Sequence, residues 1–199
     1  MWAGCLSDRL QRPAKPKRAL IHESFCSGTL AEQIAFEGLT IPFQTVSASD
    51  KKALARRFIA SRAGAQHLFK SMADQVAGEG FCCIHGKVCR LVERPDLSVG
   101  GLPCQPFTKY RRRDGSSSKQ AGTRDHPGFA VISGFHAYLE SRKPRGFLVE
   151  ETASMADANR EGGSYLEEFV AEVAQLGYAV RAMKLGHRVW CEQPRERSQ

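Results

Sequence analysis

Cys104 stands between Pro103 and Gln105 in the run D-L-S-V-G-G-L-P-C-Q-P-F-T, which covers Asp96 to Thr108. A short apolar stretch ends there in two glycines, which let a backbone turn sharply and approach a ligand closely. Pro103 fixes its own φ and pushes Leu102 toward an extended shape. The pattern predicts a thiol presented on a loop just past a strand end, where doubly wound α/β folds keep their sites. A cysteine so placed is a nucleophile when nearby cations depress its pKa. Lys109, Arg111, Arg112 and Arg113 follow directly. Taken alone, Cys104 reads rather as a small buried residue or an incidental loop thiol, since free cysteine is often buried.

Carboxylates fall at two comparable places. Gly146 to Thr152 reads as an apolar strand ending in Glu150 and Glu151. In a parallel sheet that end lies beside the earlier strand end that leads to Cys104. Phe43 to Ala48 reads as a strand followed by Asp50. A carboxylate there can accept both hydroxyls of a ribose, and it also suits the N-cap of a helix over Lys51 to Ala63.

The elements that must position these groups alternate. Ala19 to Phe25 reads as the first strand, stopped by Cys26-Ser27-Gly28-Thr29, and Leu30, Ile34 and Phe36 then fall at helical spacing up to Gly38. Such a turn can hold a ligand at the helix N-terminus, and the distance from Phe25 to Asp50 is close to that of nucleotide-binding units. Gln66 to Phe69 is a short third strand, with Asp74 in a polar turn after it. Phe81 to Cys89 packs Cys82, Cys83, Cys89 and His85 close together. A zinc site needs four ligands, usually in two spaced pairs. No second pair is visible and alternating burial explains the segment as well, so no metal is expected. Arg111 to Asp125 is rich in Gly, Ser, Lys and Arg and reads as a mobile loop, either a solvated linker or a lid over the thiol that touches phosphates. A helix over Gly128 to Ser141 carries Phe129, Ile132, Phe135, His136 and Leu139 on one side, His136 as a packed or surface residue rather than a catalyst. A second amphipathic helix, Tyr165 to Leu176, turns Leu166, Phe169, Val170, Val173 and Leu176 inward and ends at Gly177. Tyr178 to Val180 and His187 to Trp190 read as two more strands.

Composition bounds the class. The 199 residues are 42% hydrophobic and 25% charged, as in a soluble globular domain large enough to bury a core. No apolar run is long enough to cross a membrane. The net charge of +8 and pI of about 9.3 suit an anionic partner, most commonly nucleic acid. Seven scattered cysteines, an odd number, without a secretion signal indicate reduced thiols and an intracellular location. Residues 1–18 read as a flexible basic arm and 19–199 as one domain. Lys15-Pro16-Lys17-Arg18 reads as a solvated tail or a nuclear signal, so the location is nuclear in a eukaryote and cytoplasmic otherwise.

G-L-P-C-Q-P-F-T resembles the nucleophile loop of the cytosine-5 methyltransferases, which act on DNA and, in one branch, on tRNA. That family's pattern is close to G-P-P-C-Q-x-F-S, with Leu102 here for one proline and Thr108 for the serine. F-C-S-G-T over Phe25 to Thr29 resembles its first motif, nearer F-x-G-x-G, with Gly28 the glycine retained. Asp125-His126-Pro127 resembles its aspartate-proline step. Glu150 falls on the glutamate of F-x-L-E-N-V, with Glu151 for the asparagine and Thr152 for the valine. Gln193-Pro194-Arg195-Glu196-Arg197 resembles Q-x-R-x-R, with Cys191-Glu192 where a glycine-valine-proline usually precedes it.

The resemblance covers about Ile21 to Arg197. It implies a Rossmann-like α/β domain with a mostly parallel sheet and helices on both faces, using S-adenosylmethionine. It further implies Cys104, Glu150, Arg195 and Arg197 in catalysis. Phe25, Gly28, Thr29, Asp50, Asp74 and Pro103 would lie around the cofactor, with Asp74 near the adenine amino group. Lys109, Arg111, Arg112 and Arg113 would lie on the nucleic acid, DNA or alternatively tRNA. The family continues into a target-recognition domain and a final segment that completes the cofactor pocket. Neither follows here, so a truncated or divergent member is expected. The competing expectation is a catalytically inactive nucleic-acid-binding protein that kept the fold.

Overall fold

The structure, a computed structural model, describes residues 18–62, 64–107, 128–158 and 162–185. In chain order they form β1 (Leu20–Phe25), α1 (Ala31–Gly38), β2 (Phe43–Ser49), α2 (Ala53–Ser61), β3 (His67–Phe69), α3 (Met72–Val76), β4 (Glu79–Cys82), β5 (Lys87–Arg90), β6 (Leu97–Gly101), α4 (Phe129–Arg142), β7 (Gly146–Glu150), a 3-10 turn (Ala153–Ala156) and α5 (Tyr165–Gln175). Five strands pair in the order β3-β2-β1-β6-β7, every contact parallel. β4 and β5 make a separate antiparallel hairpin. The chain runs outward from β1 to β3 and then returns to the other side of β1 to lay down β6. That reversal opens a crevice between the C-terminal ends of β1 and β6, where open α/β sheets take their ligands.

Helices pack on both faces, as is usual for a parallel sheet. On one face α3, α4 and α5 contribute Met72, Ile132, Phe135, Tyr138, Phe169 and Val173 to a cluster with Phe25. On the other, Leu30 and Ile59 pack with Ala48 and Leu68. Leu102, where the resembled pattern has proline, is 4% exposed and belongs to the first cluster. Gly100 pairs with Phe25 across β1 and β6. A Cβ there would fall 2.3 Å from the Phe25 ring and 2.4 Å from its carbonyl oxygen, so glycine alone lets the strands close.

The centre of β1 is polar. His22, Glu23 and Ser24 are all buried. Glu23 Oε1 accepts from Arg142 Nη2 at 2.7 Å, and Glu23 Oε2 accepts from the Tyr138 hydroxyl at 2.6 Å. Tyr138 in turn shares a 2.7 Å hydrogen bond with Ser98. These contacts bind β1, β6 and α4 into one unit, and none was visible as a sequence pattern. Gln75 does the same for α3: its amide donates to the Ser24 carbonyl at 2.9 Å and to Ser47 Oγ at 2.8 Å, and it accepts from Ser49 Oγ at 2.6 Å.

Several expectations need correction. The helix expected over Lys51 to Ala63 starts at Ala53, and Asp50 is not its cap: Lys52 holds that position, without a side-chain capping bond. Asp74 is not in a polar turn but is the third residue of α3, in a capping box with Ser71. Tyr178 to Val180 is not a strand. It is held by a side chain instead, since the Tyr178 hydroxyl donates to the Pro144 carbonyl at 2.8 Å and its ring stands edge-on to Phe147. Arg18, the last residue of the expected arm, forms a two-pronged ion pair with Asp96 at 2.6 Å. The rest of that arm, the loop from Lys109 to Arg124, the Asp125-His126-Pro127 step, and the expected strand His187 to Trp190 lie outside the described residues.

Candidate active site

The turn after β1 is the most contorted backbone among the described residues. Cys26, Gly28 and Leu30 have φ of 49°, 53° and 55°. Only Gly28 adopts that conformation without steric cost. The turn is tied to the end of β2. Ser27 N–H donates to the Ser49 carbonyl at 3.0 Å, and Gly28 N–H donates to Asp50 Oδ2 at 2.9 Å. The other Asp50 oxygen accepts from Lys52 N–H at 2.7 Å. Each oxygen therefore keeps a lone pair for a further donor.

Between these ends lies a cleft of about 740 Å³, the size that takes a small-molecule ligand. Gly28 and Asp50 line one side. Met72 and Val131 form an apolar wall, and Gly101, Pro103 and Gln105 close the far end. The sequence reading missed Met72, Val131 and Gln105. Met72 and Val131 carry no polar signal, and their place depends on how α3 and α4 dock. Phe25 is fully buried against Phe135 and Tyr138 rather than open to the cleft. Thr29 is exposed and is not part of the lining. Asp74 also faces elsewhere: its carboxylate accepts from Ser71 N–H at 3.2 Å and lies against Gly80. The lining there is Ser71, Met72 and Ala73.

The Cys104 loop leaves β6 where β7 ends. Gly101 is in register with Glu150, and Leu102 N–H donates to the Glu150 carbonyl at 3.2 Å. Glu150 Oε2 lies 3.5 Å from the point where a Cβ on Gly101 would sit. The expected juxtaposition of carboxylate and loop is present. Phe107 N–H closes a turn on the Cys104 carbonyl at 3.0 Å. Buried Leu102 and Phe107 anchor the loop on either side, and Phe107 meets Phe129 and Tyr165. Cys104 itself is exposed. Lys109, Arg111, Arg112, Arg113, Arg195 and Arg197 lie outside the described residues. His136 is a packed residue, 3.0 Å from Glu172 and beside the Phe169 ring.

Glu151 has an environment unlike that of Glu150. Burial, with the Glu150 charge adding to it, pushes its carboxyl up to about 7, against the opposing effect of the Thr152 N–H that donates to it at 2.7 Å. Its Oε1 is buried without a partner. Burial likewise holds His22 down at about 4. A raised carboxyl pKa contributes stability that is full below the ordinary glutamate value and lost as pH rises through 7. A depressed histidine pKa does the reverse: its contribution is full above 6.5 and lost as pH falls through 4. The two slopes oppose each other between pH 4.5 and 6.5. Glu151→Gln should therefore stabilise the fold at pH 8 by about 1–2 kcal/mol, the partial exposure of the group being allowed for. At pH 4.5 it should change little. Urea midpoints at the two pH values check this, and an equal shift at both would mean that Glu151 titrates normally.

A family model described as C-5 cytosine-specific DNA methylase matches residues 32–197. The Type II methyltransferase M.PspPI of Psychrobacter sp. (strain TA137) is 29% identical over 124 residues, which are 62% of this chain and 26% of that protein. The Type II methyltransferase M.AgeI of Thalassovita gelatinovora is 30% identical over 91 residues, 45% of this chain and 18% of that protein. The chain thus spans about a quarter or less of the length of these curated relatives. Nothing in the comparisons supports a nuclear destination. Among the described residues no helix is long and apolar enough to cross a membrane.

Proposed function

Because the chain belongs to the C-5 cytosine-specific DNA methylase family, we propose that it transfers a methyl group from S-adenosylmethionine to carbon 5 of cytosine in DNA. The observation that carries this reading is a cleft between β1 and β6 that is lined by Asp50 from the end of β2 and by Pro103 and Gln105, the two residues that flank Cys104.

The residues present suit the cofactor. Asp50 retains acceptor capacity for ribose hydroxyls, Met72 and Val131 offer apolar contact, and a Cβ at Gly28 would meet nothing within 4 Å, so the turn leaves room for a ligand. When bound, S-adenosylmethionine supplies an electrophilic methyl group on a sulfonium. The chain's own part is to make carbon 5 nucleophilic. The target base is taken out of the duplex at a cost of about a few kcal/mol. The Cys104 thiolate adds to carbon 6, which makes carbon 5 enamine-like. Glu150 holds the ring at N3 and the amino group, and Arg197, with Arg195 behind it, binds the base carbonyl. Carbon 5 can then take the methyl group from the sulfonium, which leaves as the neutral thioether. Once carbon 5 carries both the methyl group and its hydrogen, a base removes that hydrogen as a proton, the bond from sulfur to carbon 6 breaks and Cys104 is released. Splitting one hard step in this way is nucleophilic catalysis. Lys109, Arg111, Arg112 and Arg113 contribute sequence-independent contacts to phosphate.

The test is to incubate the chain with methyl-labelled cofactor and either DNA or tRNA. Label at cytosine carbon 5 of DNA is expected. Label on tRNA alone would move the substrate to RNA, and no cofactor binding at millimolar concentration would favour the inactive reading. Asp50→Ala should weaken cofactor binding by about 1–3 kcal/mol in calorimetry, the scale of a lost charge-assisted pair. A thermal melt run alongside separates loss of the ligand contact from loosening of the Gly28 turn.

A further inference from the structure

The hairpin β4–β5 has little core of its own. Phe81 and Val88 point outward and are 50% and 63% exposed, and an isolated two-stranded hairpin is marginal in water. It nevertheless sits firmly on the edge of the sheet: Cys83 N–H donates to the Leu68 carbonyl of β3 at 2.7 Å. Four side chains meet at that junction. The ligand atoms of His67, Cys82, His85 and Cys89 all lie within 4.8 Å of one another. Cys89 Sγ is 3.4 Å from His85 Nδ1, and the His67 and His85 rings are 5.2 Å apart, edge to face.

We propose that His67, Cys82, His85 and Cys89 bind one structural zinc ion that clips the β4–β5 hairpin to the edge strand β3. Sequence alone showed no second ligand pair because the fourth ligand, His67, is on β3 and α3 intervenes before the hairpin. The hairpin supplies the other three. Its turn places Cys82 and His85 together, with Gly86 N–H returning to the Cys82 carbonyl at 2.9 Å. Cys82 pairs with Lys87 and Gly80 with Cys89, so Cys89 lies diagonally from Cys82 on the same face.

The chemistry of the set selects the ion. Two sulfurs and two imidazoles in one shell suit tetrahedral zinc. Zinc–sulfur bonds of about 2.3 Å and zinc–nitrogen bonds of about 2.0–2.1 Å put neighbouring ligand atoms about 3.4–3.8 Å apart, so small side-chain adjustments suffice. Four protein ligands fill the shell, which makes the role structural. Two further observations point to a ligand. His67 Nδ1 is buried without a partner. Leu68 N–H points at Cys82 Sγ at 3.4 Å, the kind of supporting donor that orients a metal-bound sulfur. Both thiols are free, and each releases its proton when zinc binds. Cys83 is exposed and stands apart from the cluster.

The experiment is metal analysis of the whole chain, purified under reducing conditions from zinc-supplemented medium. One zinc per chain is expected. Exchange into cobalt should give the visible bands of a tetrahedral thiolate site. After dialysis against a weak chelator, Cys82→Ser and Cys89→Ser should retain less than a tenth of the wild-type zinc, while Cys83→Ser retains all of it. A wild-type chain without zinc and without a cobalt spectrum overturns the proposal. So does equal loss in Cys83→Ser, or a Cys82–Cys89 disulfide found by mapping after alkylation. If the serine variants do not fold, the cobalt titration of the wild-type chain decides alone.

Discussion

Cys104→Ser should form no covalent adduct with DNA carrying 5-fluorocytosine, under conditions where the wild-type chain is trapped on it. The expectation follows from where the bond breaks. After the thiolate has added to carbon 6 and carbon 5 has been methylated, release requires loss of the substituent at carbon 5. Hydrogen leaves as a proton; fluorine cannot leave as a cation. With S-adenosylmethionine present, the wild-type protein should stay attached and shift on a denaturing gel. Serine occupies the same exposed position between the Leu102 and Phe107 anchors, so the fold should not change. A hydroxyl is a far weaker nucleophile at neutral pH, and methyl transfer should fall by at least about a thousandfold, or about 4 kcal/mol in barrier. A wild-type chain that binds cofactor yet leaves no adduct would sink the role given to Cys104.

The second large effect concerns stability. Arg142→Met should cost about 3–5 kcal/mol, because it leaves a carboxylate at the centre of the sheet without its cation. Glu23 is fully buried and the Arg142 side chain is only 10% exposed. After the change, Glu23 keeps the Tyr138 hydroxyl but loses both contacts to the guanidinium. Against a total stability of about 5–15 kcal/mol, that is a large fraction. The double variant Glu23→Gln, Arg142→Met should recover much of the loss, since it removes the stranded charge together with its partner. Urea denaturation of the three proteins checks both statements. A single variant within 1 kcal/mol of wild type would show that the carboxylate tolerates the site without its partner.

The elements that hold the site were legible where local chemistry and tertiary packing agree. The run into Phe25, the strand ending before Asp50 and the glycines before Cys104 announced strand ends, and the parallel sheet set those ends side by side. Gly177 marked the end of α5 because the chain leaves the helix there. What stayed hidden depended on distant partners. His22-Glu23-Ser24 looks out of place in a central strand until Arg142, Tyr138 and Gln75 are brought to it. Tyr178 to Val180 has the aromatic and branched residues of a strand, yet the Tyr178 hydroxyl on Pro144 and its ring against Phe147 fix it instead of a ladder. Asp74 was misplaced for a local reason, since Ser71 three residues earlier offered a capping box that the polar-turn reading passed over.

The ion pair at the sheet centre also sets an order of events during synthesis. Glu23 and Arg142 are 119 residues apart. At about 5–20 residues per second, the glutamate leaves the ribosomal active centre about 6–24 s before its partner is made. Over that interval β1 cannot be enclosed with its charge compensated, although β2 and β3 already exist. The middle of the sheet must therefore consolidate late, and translation through α4 is the commitment point for folding. A nascent chain stalled before Arg142 carries an open strand edge, the kind of surface that chaperones shield.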